Sequence, residues 1–271
     1  MAQLLVRRPA KSLASGIVSH IEDNRDSIDY DLALSQWQRY TQIYKDKGWT
    51  VKEIEKDDTL PDSVFVEDGV VFVGSLKGAS SEGIFIIASP GNVAREGEIV
   101  AIEANLKNTL KHQLVRIEKP GTLDGGDVLK VPSQRIIYIG QSQRTNIDGI
   151  RQFTSHVSSL GWQVKTVAVV KALHLKSIIT ALPDGTVIGY EPLLEDSRLF
   201  PSFLPVPEPE GAAVVLLEKD SLSTKTLLIS SSAPKTAQLL REKGYEIVQA
   251  DVSEFEKLEG CVTCLSVRVR L

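Results

Sequence analysis

The chain is poor in cysteine and has no long apolar run. Two cysteines, three positions apart, stand in 271 residues. They cannot supply the disulfide framework on which small secreted proteins depend, and they suggest a reducing compartment. No such staple is required, because a chain of this size buries roughly 75% of its unfolded surface. No apolar stretch approaches the ~18 residues of a membrane span, and the opening MAQLLVRRPAKSL lacks an apolar core of signal-peptide length. These absences predict a soluble, cytoplasmic protein with no membrane association. A strong charge excess is also missing. Net charge is −4 with both signs interspersed, so there is no basic stripe of the kind that nucleic-acid binding demands. Arg268 and Arg270 read as the solvated face of a strand.

What is present is an alternation of strands and helices. Apolar side chains at helical spacing predict helices over 27–47, 96–111, 144–160 and 234–243, with a short one over 252–258. In the first, Leu32, Leu34, Trp37, Tyr40, Ile43 and Tyr44 form the apolar side. Strands are expected at 4–7, 49–54, 64–66, 70–73, 84–89, 114–117, 128–131, 136–139, 164–170, 175–181, 187–190, 214–217, 227–230 and 247–249. The proline-rich 192–209 reads as irregular. KGWTVKEI from Lys47, LGWQVKTV from Leu160 and KGYEIVQA from Lys243 each read helix, glycine, aromatic, strand. With their unequal spacing they read either as a degenerate structural repeat of strand–strand–helix–strand units or as the helix–glycine–strand junction common to α/β proteins. No composition shift marks a linker, so residues 1–271 are expected to form one α/β domain. The last stretch, 260–271, reads as a strand hydrogen-bonded into a sheet.

Both cysteines lie in that stretch. Cys261 and Cys264 form C-x-x-C, but a thioredoxin-like pair wants a helix start, and no third cysteine or paired histidines exist to complete a zinc site. On a strand, residues three apart face opposite sides, so the two thiols are expected neither to bridge nor to share a metal. One then packs as a small hydrophobe while Cys264 faces a pocket as a candidate nucleophile. Inert buried thiols remain the plainer alternative.

His174, amid apolar neighbours, is either a core histidine or a proton carrier. Asp124-Gly125-Gly126-Asp127 is either an ordinary glycine turn or a close approach of backbone and carboxylate to a ligand. A carboxylate there could hold an imidazole in one orientation. Asp62, Glu67 and Asp68 bracket a short apolar stretch. Such acids suit a guanidinium, which is planar, always charged and matched to carboxylate geometry, though a solvated turn or a magnesium site is also open. Arg95 and Arg144 each follow a strand and open a helix, where they could capture a carboxylate or merely face solvent.

Taken in order, FVED at Phe65, LDGGDV at Leu123, QRTN at Gln143, LHLKS at Leu173 and TCLSV at Thr263 resemble the dimethylarginine dimethylaminohydrolases, a family of guanidine-modifying enzymes. The resemblance runs from about Leu4 to Val269. It implies a five-bladed, pseudo-symmetric α/β propeller of ββαβ units around a central pocket. It implies Cys264 as nucleophile, His174 as general acid/base and Asp124 as its orienting partner. Glu67 and Asp68 would lie at the guanidinium end, with Asp62 near the substrate and Arg95 and Arg144 near its amino-acid end. Val18 and Leu258 align with substrate-contacting positions. Val18 (a leucine in the mammalian pattern), Ser63 and Cys261 depart from that pattern. The implied reaction is hydrolysis of Nω-methylated arginine to citrulline through a covalent thiouronium. It requires no cofactor or metal, and any zinc effect would be inhibitory. The partner is a small molecule, and monomer and homodimer both stay open. Related deiminases and amidinotransferases share the chemistry, and a non-catalytic C-x-x-C metal or redox module is the rival outside enzymes.

Overall fold

The computed structural model describes residues 2–77, 83–109, 112–218 and 225–270. The chain alternates β1 (Gln3–Arg7), α1 (Tyr30–Asp46), β2 (Thr50–Ile54), β3 (Val70–Gly74), β4 (Gly83–Ile87), α2 (Glu98–Thr109) and β5 (Gln113–Arg116). It continues with β6 (Val128–Val131), β7 (Ile136–Gln141), α3 (Ile147–Ser158), β8 (Gln163–Ala168), β9 (Ile179–Ala181), β10 (Val187–Gly189) and β11 (Phe203–Pro205). It ends with β12 (Val214–Leu216), β13 (Thr226–Ser230), α4 (Pro234–Glu242), β14 (Glu246–Ala250), α5 (Ser253–Glu256) and β15 (Val267–Val269). The end of α2 expected at Lys111 lies outside the described residues. Among the described residues, no helix is long and apolar enough to cross a membrane.

These strands form five three-stranded sheets, β15-β1-β2, β3-β4-β5, β6-β7-β8, β9-β10-β11 and β12-β13-β14. In each, the middle strand runs antiparallel to the first and parallel to the third. A parallel step needs a crossover, which a helix supplies in four of the units. The result is a five-unit α/β propeller. Its fourth unit differs from the expected ββαβ: β10 reaches β11 through 3-10 turns at Glu191–Leu193 and Ser197–Leu199, with no α-helix between them. Pro192 and Pro201 frame this crossover, and a proline removes a helix donor. The segment expected to be irregular nevertheless contributes β11 to the sheet.

Local chemistry sets the helix ends. The Asp29 side chain accepts from the N–H groups of Asp31 and Leu32 and caps α1. Gly48, Gly161 and Gly244, the glycines of the repeated motif, all have positive φ, the left-handed stop that glycine adopts without steric penalty. The buried stripe of α1 is Ala33, Gln36, Trp37, Tyr40, Thr41 and Tyr44. Leu32, expected on that side, is exposed. Middle strands β4 and β13 are buried along their whole length, as the apolar run of β4 and the Leu227–Ile229 centre of β13 imply.

The last strand completes the first sheet. β15 pairs antiparallel with β1, placing Leu5 opposite Val267 and Gln3 opposite Val269, so both ends of the chain build one blade. The strand expected over 260–271 is shorter than that. Residues 262–265 form turns, closed by Cys264 N–H donating to Cys261 C=O at 3.1 Å. The same substitution of turn for strand recurs. A 3-10 turn precedes β3 (Val66–Asp68), β6 (Gly125–Asp127) and β12 (Pro209–Ala212), and another at Leu175–Ser177 leads into β9 where sequence predicts continuous strand. The turns of the second, third and fourth units touch one another. At this end of the propeller the chain bends inward just before each unit's first strand.

The first strands themselves line a central cavity of about 530 Å³. Arg268 and Arg270 project into it, which corrects their assignment to a solvated strand face. The alternation along the strand was read rightly, but its polar side meets the enclosed axis. Arg268 donates to Glu67 Oε1 at 2.6 Å, and the guanidinium of Arg270 lies 5.0 Å from the Trp49 ring centroid.

Candidate active site

A smaller, partly open cavity, of about 20 Å³, is lined by Ile17, Asp62, Phe65, Asp68, Arg95, Arg144, Leu173, His174, Leu258, Glu259, Gly260 and Cys264. Cys264 comes from the turn before β15, His174 from the residue that opens the Leu175–Ser177 turn, Asp124 from the residue that opens the Gly125–Asp127 turn, and Asp68 from the turn before β3. Residues as far apart in the chain as Asp68 and Cys264 thus meet because each blade presents its turn at the same end.

His174 is buried and its Nε2 lies 3.1 Å from Asp124 Oδ2. Its Nδ1 is 3.8 Å from Asp68 Oδ1. Asp127 accepts from the backbone N–H of Leu175 at 2.9 Å and from Ser142 Oγ at 2.7 Å, anchoring the segment that carries the imidazole. Burial by itself would depress the pKa of His174. The carboxylates of Asp68, Asp124 and Asp127 outweigh it and raise the ring to about 9. The resting imidazole is therefore a cation, poised to give a proton. Burial opposes ionisation of Asp68, but His174 and Arg95 dominate and hold its carboxyl down at about 2.

The two glycines of the Asp124 turn are required by close approach. A Cβ on Gly126 would lie 2.6 Å from both His174 Nδ1 and Asp68 Oδ1, and one on Gly125 would lie 2.1 Å from the Glu67 carbonyl oxygen. The Gly126 N–H donates to Asp68 Oδ1 at 3.0 Å. Gly126→Ala is expected to displace the imidazole or the carboxylate and to lower kcat/KM by about 100-fold, since sub-ångström misplacement of reacting groups has that scale of effect. Steady-state kinetics beside a thermal melt would check it, and an unchanged kcat/KM would refute the packing argument.

Arg95 is wholly committed within the protein. It donates to Asp68 Oδ2 at 2.6 Å, to both oxygens of Glu98 at 2.9 and 2.8 Å, and to the backbone carbonyls of Asp62 and Phe65. Glu98, not singled out by sequence, completes this buried ion cluster; a single acid on a helix carried no signal. Arg144 is less engaged. Among the described residues its guanidinium makes one side-chain bond, to Asp124 Oδ2 at 3.3 Å. Asp62 faces the same cavity, accepts from the Ile17 N–H at 3.1 Å, and has its pKa raised by burial against the opposing pull of Arg95.

Two expected site residues are not brought to this cavity. Glu67 points into the central cavity, where Lys176 (2.7 Å) and Arg268 (2.6 Å) share its Oε1. Adjacent residues in a 3-10 turn diverge, so Asp68 and Glu67 serve opposite sides of the same wall. Val18 packs against the core beside α1, and Ile17 takes the place in the wall. Leu258 does line the cavity, as expected. Its neighbour Glu259, in a left-handed conformation at φ 60°, accepts from the N–H groups of Ser19 and His20 and ties the segment after Gly16 across the opening.

The cysteine geometry overturns the opposed-face expectation. Because a turn replaces the strand, Cys261 Sγ and Cys264 Sγ are 3.2 Å apart. This contact, burial, and the Asp68 and Glu67 carboxylates push the Cys264 thiol up, while the contact leaves Cys261 down at about 7. Ligand atoms of Asp68, Asp124 and His174 lie within 4.8 Å of one another, a spacing that could suit a metal. Arg95 already bonds Asp68 at 2.6 Å and Arg144 bonds Asp124 at 3.3 Å.

The arrangement is a thiol, an imidazole held by a carboxylate behind it, and acids able to receive a cationic substrate, with the thiol, the imidazole, Asp62 and Asp68 lining one cavity. Residues 14–184 match the family model described as N,N dimethylarginine dimethylhydrolase, eukaryotic. The chain is 48% identical over 266 residues to an N(G),N(G)-dimethylarginine dimethylaminohydrolase of Streptomyces coelicolor, covering 98% of this chain and 96% of that one. It is 29% identical to the protein of that name from Pseudomonas aeruginosa, covering 98% of each. A solved structure of the Pseudomonas aeruginosa enzyme in complex with citrulline superposes with a TM-score of 0.82 at 28% identity, over 98% of each chain. The chain therefore belongs to the dimethylarginine dimethylaminohydrolase family, hydrolases that act on the guanidino group of methylated arginine.

Proposed function

We propose that this protein hydrolyses Nω-methylated L-arginine, asymmetric dimethylarginine and monomethylarginine, to L-citrulline and dimethylamine or methylamine. The observation that carries this reading is that His174, held by Asp124, lines the same cavity as the Cys264 thiol. The substrate's guanidinium rests against Asp68, with Asp62 beside it. Glu67 acts at one remove, through the wall it shares with Asp68. Arg144, the freer arginine, is the better candidate for the substrate carboxylate, and Arg95 chiefly fixes Asp68 in place.

Bound beside Cys264, the cation lowers the cost of ionising the thiol, whose proton leaves to solvent. Sulfur attacks the guanidinium carbon and forms the C–S bond. His174 then protonates the departing amine as the C–N bond breaks, leaving a covalent thiouronium. The neutral imidazole next takes a proton from water, which adds to the same carbon. The C–S bond breaks, citrulline leaves and Cys264 is restored. No metal or cofactor is needed, because the substrate supplies the positive charge that activates the thiol. Zinc would act as an inhibitor by capturing Cys264 and His174. Monomer and homodimer are both compatible with this chemistry. Two unbridged thiols suit the cytoplasm.

Incubation with dimethylarginine, free arginine and agmatine separately is the test. Citrulline is expected at the highest kcat/KM from the methylated substrate, and a preference for free arginine or production of carbamoylputrescine would replace this reading with a deiminase.

A further inference from the structure

The methylarginine reaction leaves Cys261 without a role, although its sulfur touches the nucleophile. The chain has no third cysteine with which either thiol could pair. Both are free, Cys264 buried on the cavity wall and Cys261 partly exposed. The turn between them is closed by the Cys264 N–H to Cys261 C=O bond of 3.1 Å, and the Thr263 hydroxyl lies 3.2 Å from Cys261 Sγ. A disulfide requires S–S at about 2.05 Å. From the 3.2 Å contact this is a closure of roughly one ångström, within reach of rotation about the two Cα–Cβ bonds.

We propose that Cys261 and Cys264 form a reversible disulfide on exposure to a hydroperoxide, and that this bond withdraws the nucleophile until a dithiol reduces it. The partly exposed Cys261 meets the oxidant first. Its lowered pKa, about 7, makes it substantially thiolate at neutral pH. Sulfur attacks the peroxide oxygen, an S–O bond forms and the O–O bond breaks, and the leaving alkoxide or hydroxide takes a proton. Cys264 then attacks the sulfenic sulfur, forming S–S, while the departing hydroxide takes the Cys264 proton and leaves as water. Overall, two thiols and one hydroperoxide give a disulfide, an alcohol (or water) and water. The bond also protects the nucleophile, since a disulfide is reducible whereas sulfinic acid is not under ordinary conditions.

The test treats the intact enzyme with hydrogen peroxide, alkylates it, and weighs the peptide carrying both cysteines. The expected peptide has lost two hydrogens and resists alkylation, citrulline formation has fallen by about tenfold or more, and dithiothreitol restores both. Cys261→Ser, compared with its own untreated rate, is expected to gain oxygen on Cys264 and to recover poorly once sulfinic acid has formed. Inactivated wild-type enzyme with oxygen on Cys264 and an alkylatable Cys261 would overturn the proposal, as would a disulfide that leaves activity intact. The mass readout does not depend on which guanidine is the substrate, so failure here is distinguishable from failure of the methylarginine reading.

Discussion

Cys264→Ser is expected to abolish turnover, with citrulline formation falling about 10,000-fold or more, while the fold survives. Serine exchanges the sulfur for a smaller oxygen, and the residue lies in a turn held by backbone bonds at Cys264 N–H and by the Cys264 carbonyl accepting from the Glu67 N–H. Neither bond depends on the side chain. An alcohol, unlike a thiol, remains far from ionisation even beside a guanidinium, so attack on carbon fails at its first step. Substrate binding should persist, because Asp68, Asp62 and Arg144 are untouched. Isothermal titration with dimethylarginine and circular dichroism would separate the two effects; residual turnover near the wild-type rate would remove Cys264 from the mechanism.

His174→Gln is expected to lower kcat by about 100- to 10,000-fold, the range spanned by a positioned general acid or base. The pH profile carries more information. The folded pKa is raised to about 9, so the acid form predominates at neutral pH, and the first step should slow as pH rises through that value. The variant should lose this alkaline limb. It should tolerate an S-alkyl thiocitrulline better in the first step, because a thiolate leaves without needing a proton, and accumulate the covalent intermediate because no base then activates water. Stability follows the same direction. A histidine raised from about 6.5 contributes on the order of 3 kcal/mol to folding, fully present below the unfolded value and lost as pH climbs towards 9. An alkaline limb unchanged in His174→Gln would show that another group supplies the proton.

Much of the architecture was legible in the sequence because it rests on short-range rules. The glycines at 48, 161 and 244 mark left-handed helix stops whatever surrounds them. The apolar run of β4 could only be a strand buried on both faces. Five motifs in register pointed to the family. The candidate site was legible as a list of residue types: Cys264, His174, Asp62 and Asp68 line one cavity, and Asp124 lies against the imidazole.

What the tertiary structure alone decided is direction. Strand-like sequence at 62–68, 175–177 and 262–265 folds as turns, because each blade must bend inward where the five units meet. A β pattern and a 3-10 turn place adjacent side chains differently, so Glu67 was separated from Asp68 and Cys261 was brought against Cys264. Arg268 was likewise turned from an assumed surface to an ion pair beneath the site. Local sequence determined which segments could be helix, strand or stop. Only ring closure between β1 and β15 determined which polar side chains would face one another across the axis, since those partners are distant in the chain and no local pattern encodes their meeting.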